Sequence, residues 1–261
     1  MKKCAFCTRD ADSPEHIFSD WMIELLPPDQ RYICNERIVT RDEYIRYQRR
    51  KIKFVARAVC TPCNNGWMSD LEGALKLVIG DVLVGNWGVV KVFTPEQLKT
   101  ISAFAFKTLV LANHKDLGRK RPFFTRVQRS QFRRDLIIPA GVSIFMATRE
   151  HVEGKYYGFW KSVSGDSKNK RTSYNWMMYG CTWNFQNLIL QTVATKWKSH
   201  THRKSQAPIT FSEVDHWKPA SVQIWPLTGA NFEWPLEYCL GPDSLFNYRD
   251  RFENVGVRLL S

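Results

Sequence analysis

The chain has 261 residues, with 38 Lys or Arg against 25 Asp or Glu, and its formal net charge is +13. This length provides one large domain or two smaller ones, with a core that needs no disulfides. No run of about 18 apolar residues is present, which excludes a membrane-spanning helix, and the N-terminal lysines precede no apolar segment, which excludes a secretory signal. We therefore expect a cytoplasmic protein whose charge favours a polyanionic partner, nucleic acid before a membrane surface, although a basic chain can also be merely soluble.

The first part of the chain predicts short elements in quick succession. Ser13-Pro14-Glu15 predicts a turn that opens a short helix. The strongly charged segment 29–50 has no clear period, and we interpret it as an inserted loop or helical segment. Apolar residues alternate with basic ones over 51–60, which predicts a half-exposed strand. Apolar positions at helical spacing then predict a helix over 64–79 that ends at Gly80.

Four of the seven cysteines form two Cys-x-x-Cys pairs, Cys4/Cys7 and Cys60/Cys63. Thiolates are soft ligands that suit zinc, and two such pairs present four sulfur atoms to one ion at tetrahedral angles. A redox function would need a thioredoxin-like βαβ context, which the surrounding pattern lacks. The cysteines therefore predict a structural zinc site. Because four sulfurs leave no open coordination position, any catalysis would need other residues.

A glycine-rich stretch predicts a boundary that divides the chain into two domains, 1–80 and 81–261. In the second domain, Thr94 is a good helix N-cap and Pro95 suits the first helical position, so we predict a helix from there to about His114. Segments rich in aromatic and β-branched residues predict an antiparallel sheet on this helix: 142–146, 156–163, 176–183 and 188–197. The predicted fold class is α+β, a zinc-bound module followed by a helix-plus-antiparallel-sheet domain.

Three motifs follow one another within residues 1–80: Cys4-Ala5-Phe6-Cys7, Glu15-His16-Ile17-Phe18 and Cys60-Thr61-Pro62-Cys63-Asn64. This succession resembles the HNH endonucleases, the zinc-stapled branch of the ββα-metal nucleases. In that family an acidic residue followed by His and Ile lies near the end of the first strand, and a Cys-x-x-Cys followed by His or Asn opens the helix. The resemblance implies a ββα-metal module at the N-terminus and says nothing about the function of 81–261.

The resemblance implies roles for three residues. His16 would be the general base that takes a proton from the attacking water. Glu15 and Asn64 would together hold one divalent ion, Mg²⁺ or Mn²⁺, which offsets charge on the phosphate and on the departing 3′ oxygen. The implied activity is hydrolysis of DNA to 5′-phosphate and 3′-hydroxyl ends, with RNA as the second expectation and with phage defence or a mobile element as the setting.

Other roles for these residues stay open from the sequence. His16 can instead pack beside the cysteine pairs, and Asn64 can cap the helix. The middle Asn of the family is either Asn35 or Asn65. If Glu15 marks a lost active site, the chain would be a non-catalytic, zinc-stabilised nucleic-acid-binding protein. A single HNH site cuts one strand, so double-strand cleavage would require a homodimer or successive nicks.

Two clusters of basic residues are candidate nucleic-acid contacts, with solvated surface charge as the alternative. Such side chains position a phosphate backbone without choosing a sequence. The first cluster comprises Arg49, Arg50, Lys51 and Lys53, and the second comprises Lys196, Lys198, Arg203 and Lys204.

Overall fold

A computed structural model of the chain describes residues 2–25, 32–38, 43–49, 55–84, 90–116, 122–150, 157–165, 174–199, 220–227 and 229–241. Within these ranges the backbone alone is described at 32–38, 43–49, 115–116, 157–165, 174–177 and 197–199. In the parts of the chain that are described, no helix has both the length and the apolar content needed to cross a lipid bilayer.

The described elements include both strands and helices, and the longest helix lies near the middle of the chain. In chain order they are β1 (Ser13–His16), α1 (Asp20–Glu24), β2 (Tyr32–Ile38), β3 (Glu43–Arg49), β4 (Val55–Val59), α2 (Thr61–Cys63), a π-helical segment (Asn64–Met68), α3 (Ser69–Leu83), β5 (Lys91–Phe93), α4 (Pro95–Asp116), α5 (Arg126–Asp135), β6 (Val142–Arg149), β7 (Tyr157–Gly165), β8 (Tyr174–Phe185), β9 (Leu188–Ser199), β10 (Ser221–Trp225), β11 (Phe232–Trp234) and β12 (Cys239–Leu240). The α+β fold class predicted from the sequence is confirmed.

The N-terminal part begins with two antiparallel strands, β1 and β4, in which Glu15 lies opposite Ala56. The strand predicted over 51–60 is confirmed for the described residues 55–59. The turn predicted at Ser13 is wrong, because residues 13–16 are extended, whereas the short helix predicted after it is confirmed in part and begins only at Asp20. The backbone of β1 pairs with a strand about 40 residues later, a non-local partner that the local pattern does not indicate.

An antiparallel hairpin, β2 with β3, lies in the sequence between β1 and β4. The loop or helix predicted over 29–50 is therefore wrong for the described residues of that segment. Both strands carry aromatic and β-branched residues, which favour extended structure even where charged residues obscure the alternation. The hairpin is thus an insertion that leaves β1 and β4 adjacent.

A helical stretch follows β4 and completes a strand–strand–helix unit. It comprises α2, the π-helical segment and α3, and it is kinked at Gly66, whose backbone is non-helical (φ −101°, ψ −119°). The helix predicted over 64–79 is therefore confirmed over 69–79, where it continues to Leu83, and is interrupted near its predicted start. Asp12, just before β1, caps its start: the Oδ1 atom accepts hydrogen bonds from the Thr61 backbone N–H at 2.7 Å and the Thr61 hydroxyl at 3.1 Å. This cap joins the beginning of the helix to the beginning of β1.

Helix α4 begins as the sequence predicted. The Gln97 backbone N–H donates to the Thr94 hydroxyl at 3.3 Å, and the Gln97 side chain accepts from the Thr94 backbone N–H at 3.0 Å. This reciprocal pair is a capping box, which satisfies two of the backbone donors at the helix start. The helix packs against α3 and β4 and also against β8, β9 and β10, so it connects the N-terminal unit to the large sheet.

The large sheet has the strand order β10-β6-β9-β8-β7, antiparallel throughout, and β12 pairs with β6 in parallel. Its strands β6 to β9 confirm the four strands predicted between residues 142 and 197. Two smaller pairs, β2 with β3 and β5 with β11, complete the described pairing.

One apolar core runs through the described molecule. It includes Cys4 and Phe6 from the N-terminal unit, Phe106 from α4, Phe132 from α5 and Trp183 from the sheet. Helix α3 continues to residue 83, beyond the predicted boundary after residue 80. The division into domains 1–80 and 81–261 therefore stays a prediction, while the shared core means that the N-terminal unit is packed directly on the elements that follow it.

Candidate metal centre and active site

The four paired cysteines converge at the start of the helical stretch. Their sulfur atoms all lie within 4.8 Å of one another, and Sγ of Cys7 is 3.5 Å from Sγ of Cys60. Zinc bonded to four sulfurs at about 2.3 Å in a tetrahedron requires sulfur–sulfur distances of about 3.8 Å, so the cluster fits this ion. The cluster can hold a metal such as zinc. Three of the cysteines are buried, as a structural site requires.

Backbone hydrogen bonds hold the two cysteine pairs in place. The Cys4 N–H donates to Arg9 O at 2.9 Å, and the Ala5 N–H donates to Ala58 O at 2.7 Å, which attaches the first pair to strand β4.

The hydrogen bond with Cys63 lowers the pKa of Cys4 to about 4, whereas the same contact raises the pKa of Cys63. The thiols thus interact strongly, and a divalent cation is the partner that lets all four ionise together.

A buried arginine attaches helix α5 to the first cysteine pair. The Nη1 atom of Arg129 donates to Ala5 O and lies 2.9 Å from Nε2 of His114, whose Nδ1 lies 3.1 Å from Val110 O. The Val110 carbonyl can only accept, so Nδ1 carries the proton and Nε2 accepts from Arg129. Burial, followed by the Arg129 charge, lowers the pKa of His114 to about 4. His114 is therefore neutral at pH 7.

This buried histidine predicts a loss of stability in acid. With a pKa of about 4 when folded and about 6.5 when unfolded, His114 takes up its proton in the unfolded chain first as the pH falls. The free energy of unfolding should fall by about 3 kcal/mol between pH 6.5 and pH 4 on this account. Urea denaturation across this range measures the slope. The variant His114→Gln, whose amide can accept from Arg129, should have a shallower slope than the wild type, and equal slopes would contradict the prediction.

His16 lies at the end of β1 with its side chain partly exposed. Its Nδ1 atom is 3.1 Å from Oδ1 of Asp20, the first residue of α1, and the His16 side chain is 25% exposed. The negative charge of Asp20 beside Nδ1 favours the tautomer that carries the proton on Nδ1. The second ring nitrogen, Nε2, is left with a lone pair that can take a proton. This is the arrangement that a general base requires.

Glu15 is buried beside a charge of opposite sign. Its Oε1 lies 3.0 Å from Nζ of Lys107 in α4, which also binds Oε1 of Glu72 in α3, and the Lys107 side chain has no exposed surface. Burial raises the pKa of Glu15, and the Lys107 ammonium opposes that rise. Burial by itself would lower the pKa of Lys107, but the two carboxylates outweigh it and the net shift is upward. Lys107 is therefore a charged group that joins β1, α3 and α4.

Asn64 ties the helical stretch to β1. Its Nδ2 atom donates to the Ser13 hydroxyl at 2.9 Å and to Pro14 O at 3.3 Å. Asn64 thus contacts the strand that carries Glu15 and His16. Neighbouring strand residues point to opposite faces, so the side chains of Glu15 and His16 extend in different directions. No described hydrogen bond joins the three side chains. Within the described contacts, Oδ1 of Asn64 and Oε2 of Glu15 make no hydrogen bond, and such oxygens are the donors that Mg²⁺ prefers.

Asn35 and Asn65, the two candidates for the middle Asn, lie in different elements. Asn35 is in strand β2, where the backbone alone is described, and Asn65 is exposed in the π-helical segment. Asn65 makes no described hydrogen bond with His16, and the identity of the middle Asn stays a prediction.

The basic clusters are described only in small part. Lys196 lies over an aromatic ring, with Nζ 4.2 Å from the ring centroid of Phe123, so its ammonium makes a cation–π contact within the protein. Arg49 and Lys198 are described by their backbone alone. The remaining candidates lie outside the described residues: Arg50, Lys51, Lys53, Arg203 and Lys204. The nucleic-acid contacts of both clusters stay predictions.

Sequence reasoning missed Asp20, Glu72 and Lys107. Asp20 had a signal, since it follows His16 by four residues within a segment predicted to be helical. Lys107 also had one, because a lysine in the apolar middle of a long helix needs a buried partner of opposite charge.

Comparisons of the chain with protein-family models, with curated proteins and with solved structures each returned no match.

Proposed function

We propose that this protein is a metal-dependent endonuclease of the HNH type that hydrolyses phosphodiester bonds of DNA. The observation that carries the proposal is the setting of His16, a partly exposed imidazole whose Nδ1 lies beside Asp20. His16 ends strand β1, and Asn64 links this strand to the helical stretch that begins at the cysteine cluster. The order strand, strand, helix with a four-cysteine cluster supports the resemblance to the ββα-metal nucleases on which the proposal rests.

In the proposed reaction His16 is the general base. Its Nε2 atom takes a proton from a water molecule as that water attacks phosphorus, and the imidazole becomes positively charged. Asp20, 3.1 Å from Nδ1, then stabilises this charge and keeps the ring in one orientation. The bond from phosphorus to the 3′ oxygen breaks, which leaves 5′-phosphate and 3′-hydroxyl ends.

Glu15 and Asn64 are the residues that would hold the catalytic Mg²⁺ or Mn²⁺. When bound, such an ion neutralises charge on the phosphate and on the departing oxygen. The zinc of the cysteine cluster has a different purpose: four sulfur ligands leave it no open position, so it stabilises the start of the helix from which Asn64 extends.

The charge of the chain supports a nucleic-acid substrate. A net charge of +13 over 261 residues attracts a phosphate backbone at long range and predicts binding that weakens steeply with added salt. The proposed sites of contact are the basic residues of the two clusters. The proposed assembly for double-strand cleavage is a homodimer, with successive nicks by a monomer as the alternative outcome.

The test of this function is cleavage of supercoiled plasmid by the zinc-loaded protein. With Mg²⁺ or Mn²⁺ present, the plasmid should be converted to the open-circular form, and chelation of the divalent ion by EDTA should stop the conversion. Single-stranded and double-stranded RNA of similar length serve as the comparison. Degradation confined to RNA would contradict the DNA assignment, and an intact plasmid across the divalent metals would contradict catalysis.

A second candidate function is zinc-stabilised binding of nucleic acid without catalysis. One observation favours it: the Glu15 carboxylate is 7% exposed and is already compensated by Lys107, so it has less capacity to hold a second cation than an open carboxylate has. This candidate predicts salt-dependent retention of labelled DNA in a gel-shift assay, with no nicking under any divalent ion. The plasmid assay therefore separates the two functions directly.

A further inference from the structure

Helix α4 carries a lysine where an apolar residue would fit its surroundings. Lys107 lies between Phe106 and Thr108, both fully buried, in a helix segment that is buried on all sides, and its own side chain has no exposed surface. A buried ammonium group is costly unless it is paired and hydrogen-bonded. Its partners come from two other elements, Glu15 from β1 and Glu72 from α3. Packing alone does not account for a charge at this position.

The charges of this group do not cancel. Lys107 contributes one positive charge and the two glutamates contribute two negative charges, so the group carries one net negative charge when all three are ionised. The group also reaches solvent unequally: the Glu72 side chain is 21% exposed, against 7% for Glu15. Solvent therefore screens the Glu72 carboxylate more than that of Glu15, and Lys107 is the nearest compensating charge for Glu15 in β1.

The geometry points to competition between two cations for one carboxylate. We propose that Lys107 is the resident counter-cation of Glu15 and Glu72, and that a divalent ion binds Glu15 only in competition with this ammonium group. The inference rests on the proposed function, since it takes Glu15 as the ligand of the catalytic ion. It adds a residue of α4, outside the N-terminal unit, that sets how tightly the ion is held.

Lys107 can influence the affinity for the divalent ion in two opposite ways. The larger of the two effects decides whether removing Lys107 raises or lowers that affinity. A hydrogen bond from a neighbouring group can orient a ligand, and its loss then weakens metal binding about 10- to 100-fold. Lys107, however, is itself a full positive charge within hydrogen-bond distance of the ligand, and it repels a divalent ion in a site screened from water. We expect the repulsion between Lys107 and the divalent ion to outweigh the benefit of orienting Glu15. The wild type should therefore need a high concentration of divalent ion to fill the site.

The experiment measures binding of Mn²⁺ alone to the zinc-loaded protein by electron paramagnetic resonance. The main variant is Lys107→Met combined with Glu72→Gln, which removes the ammonium and one carboxylate and so keeps the net charge of the group at minus one. Mn²⁺ should bind this variant about tenfold more tightly or better, because Glu15 no longer has a competing cation. Adding Glu15→Gln should abolish the gain, and Lys107→Arg should keep the wild-type affinity.

Equal or weaker Mn²⁺ binding by the double variant would overturn the inference. Zinc content and thermal unfolding establish whether the double variant is folded. If it is not, Lys107→Gln combined with Glu72→Gln takes its place, since the amide still donates a hydrogen bond to Glu15 but carries no charge; the same gain in Mn²⁺ affinity is expected, and equal or weaker binding would overturn the inference. Plasmid nicking by the wild type is measured in parallel. Tighter Mn²⁺ binding without nicking overturns the proposed function alone, whereas nicking without tighter Mn²⁺ binding overturns this inference alone.

Discussion

Replacing Cys60 with serine is expected to abolish the zinc binding that we propose for the four-cysteine cluster, and with it the cooperative unfolding transition of the protein. Cys60 is 1% exposed and supplies one of four sulfurs within 4.8 Å of one another. Structural zinc sites contribute about 10 to 16 kcal/mol of binding free energy at pH 7, which exceeds the whole stability of a typical domain. A serine hydroxyl is a poor replacement because it does not ionise near neutral pH.

Loss of the metal should also destabilise the residues around the cysteine cluster, because these residues belong to the apolar core. Phe6, inside the first cysteine pair, packs edge-on against Trp67 at 5.0 Å between ring centroids, and Trp67 packs against Phe132 at 5.6 Å. Losing the zinc therefore loosens the contact between the N-terminal unit and α5. Elemental analysis should give one zinc per wild-type chain, and circular dichroism on heating should show the lost transition in the variant.

Cys239→Ser is the matched control for this change. Cys239 is an exposed thiol in β12, on the edge of the large sheet, and it takes no part in the cysteine cluster. The control should keep its zinc and unfold close to the wild-type temperature, since exposed substitutions usually change stability by less than about 0.5 kcal/mol. Folded wild-type protein with far less than one zinc per chain would contradict the structural role of the cluster.

The sequence predicted best those features whose cause is local. A Cys-x-x-Cys turn brings its own two sulfurs together, so both halves of the cluster were visible before the fold was known. Thr94 and Gln97 cap α4 through bonds between residues three apart, and that helix was predicted with nearly its observed bounds. Aromatic and β-branched composition likewise indicated the strands of the large sheet.

Features that depend on distant partners were not predicted. β1 is extended because it pairs with β4, and a hairpin of charged residues separates the two strands in sequence. Glu15 and Lys107 are 92 residues apart, and neither segment indicates by its own pattern which charge lies opposite it. The motif around Glu15 and His16 could thus be recognised from residue types alone. The side chains that surround Glu15, and so decide what it can bind, could be identified only from the three-dimensional structure.

Replacing His16 with alanine is expected to lower the rate of plasmid nicking about 10²- to 10⁴-fold, the usual contribution of a general base. Three observations lead to this expectation: the His16 side chain is partly exposed, Asp20 holds its Nδ1, and Nε2 is the nitrogen that can accept a proton. Folding should be little affected, because the ring is not part of the apolar core. The measurement compares nicking rates of wild type and variant at saturating Mg²⁺, with zinc content and thermal unfolding confirmed as equal.

Asp20→Asn separates base catalysis from a structural role of the same histidine. The asparagine keeps the size of the side chain but removes the charge that stabilises protonated His16. Asp20 is 66% exposed, and an exposed ion pair contributes at most about 1 kcal/mol, so nicking should slow only about fivefold. A histidine that only packs beside the cysteine cluster would leave the nicking rate of Asp20→Asn equal to that of the wild type, and unchanged nicking by His16→Ala would remove His16 from the mechanism.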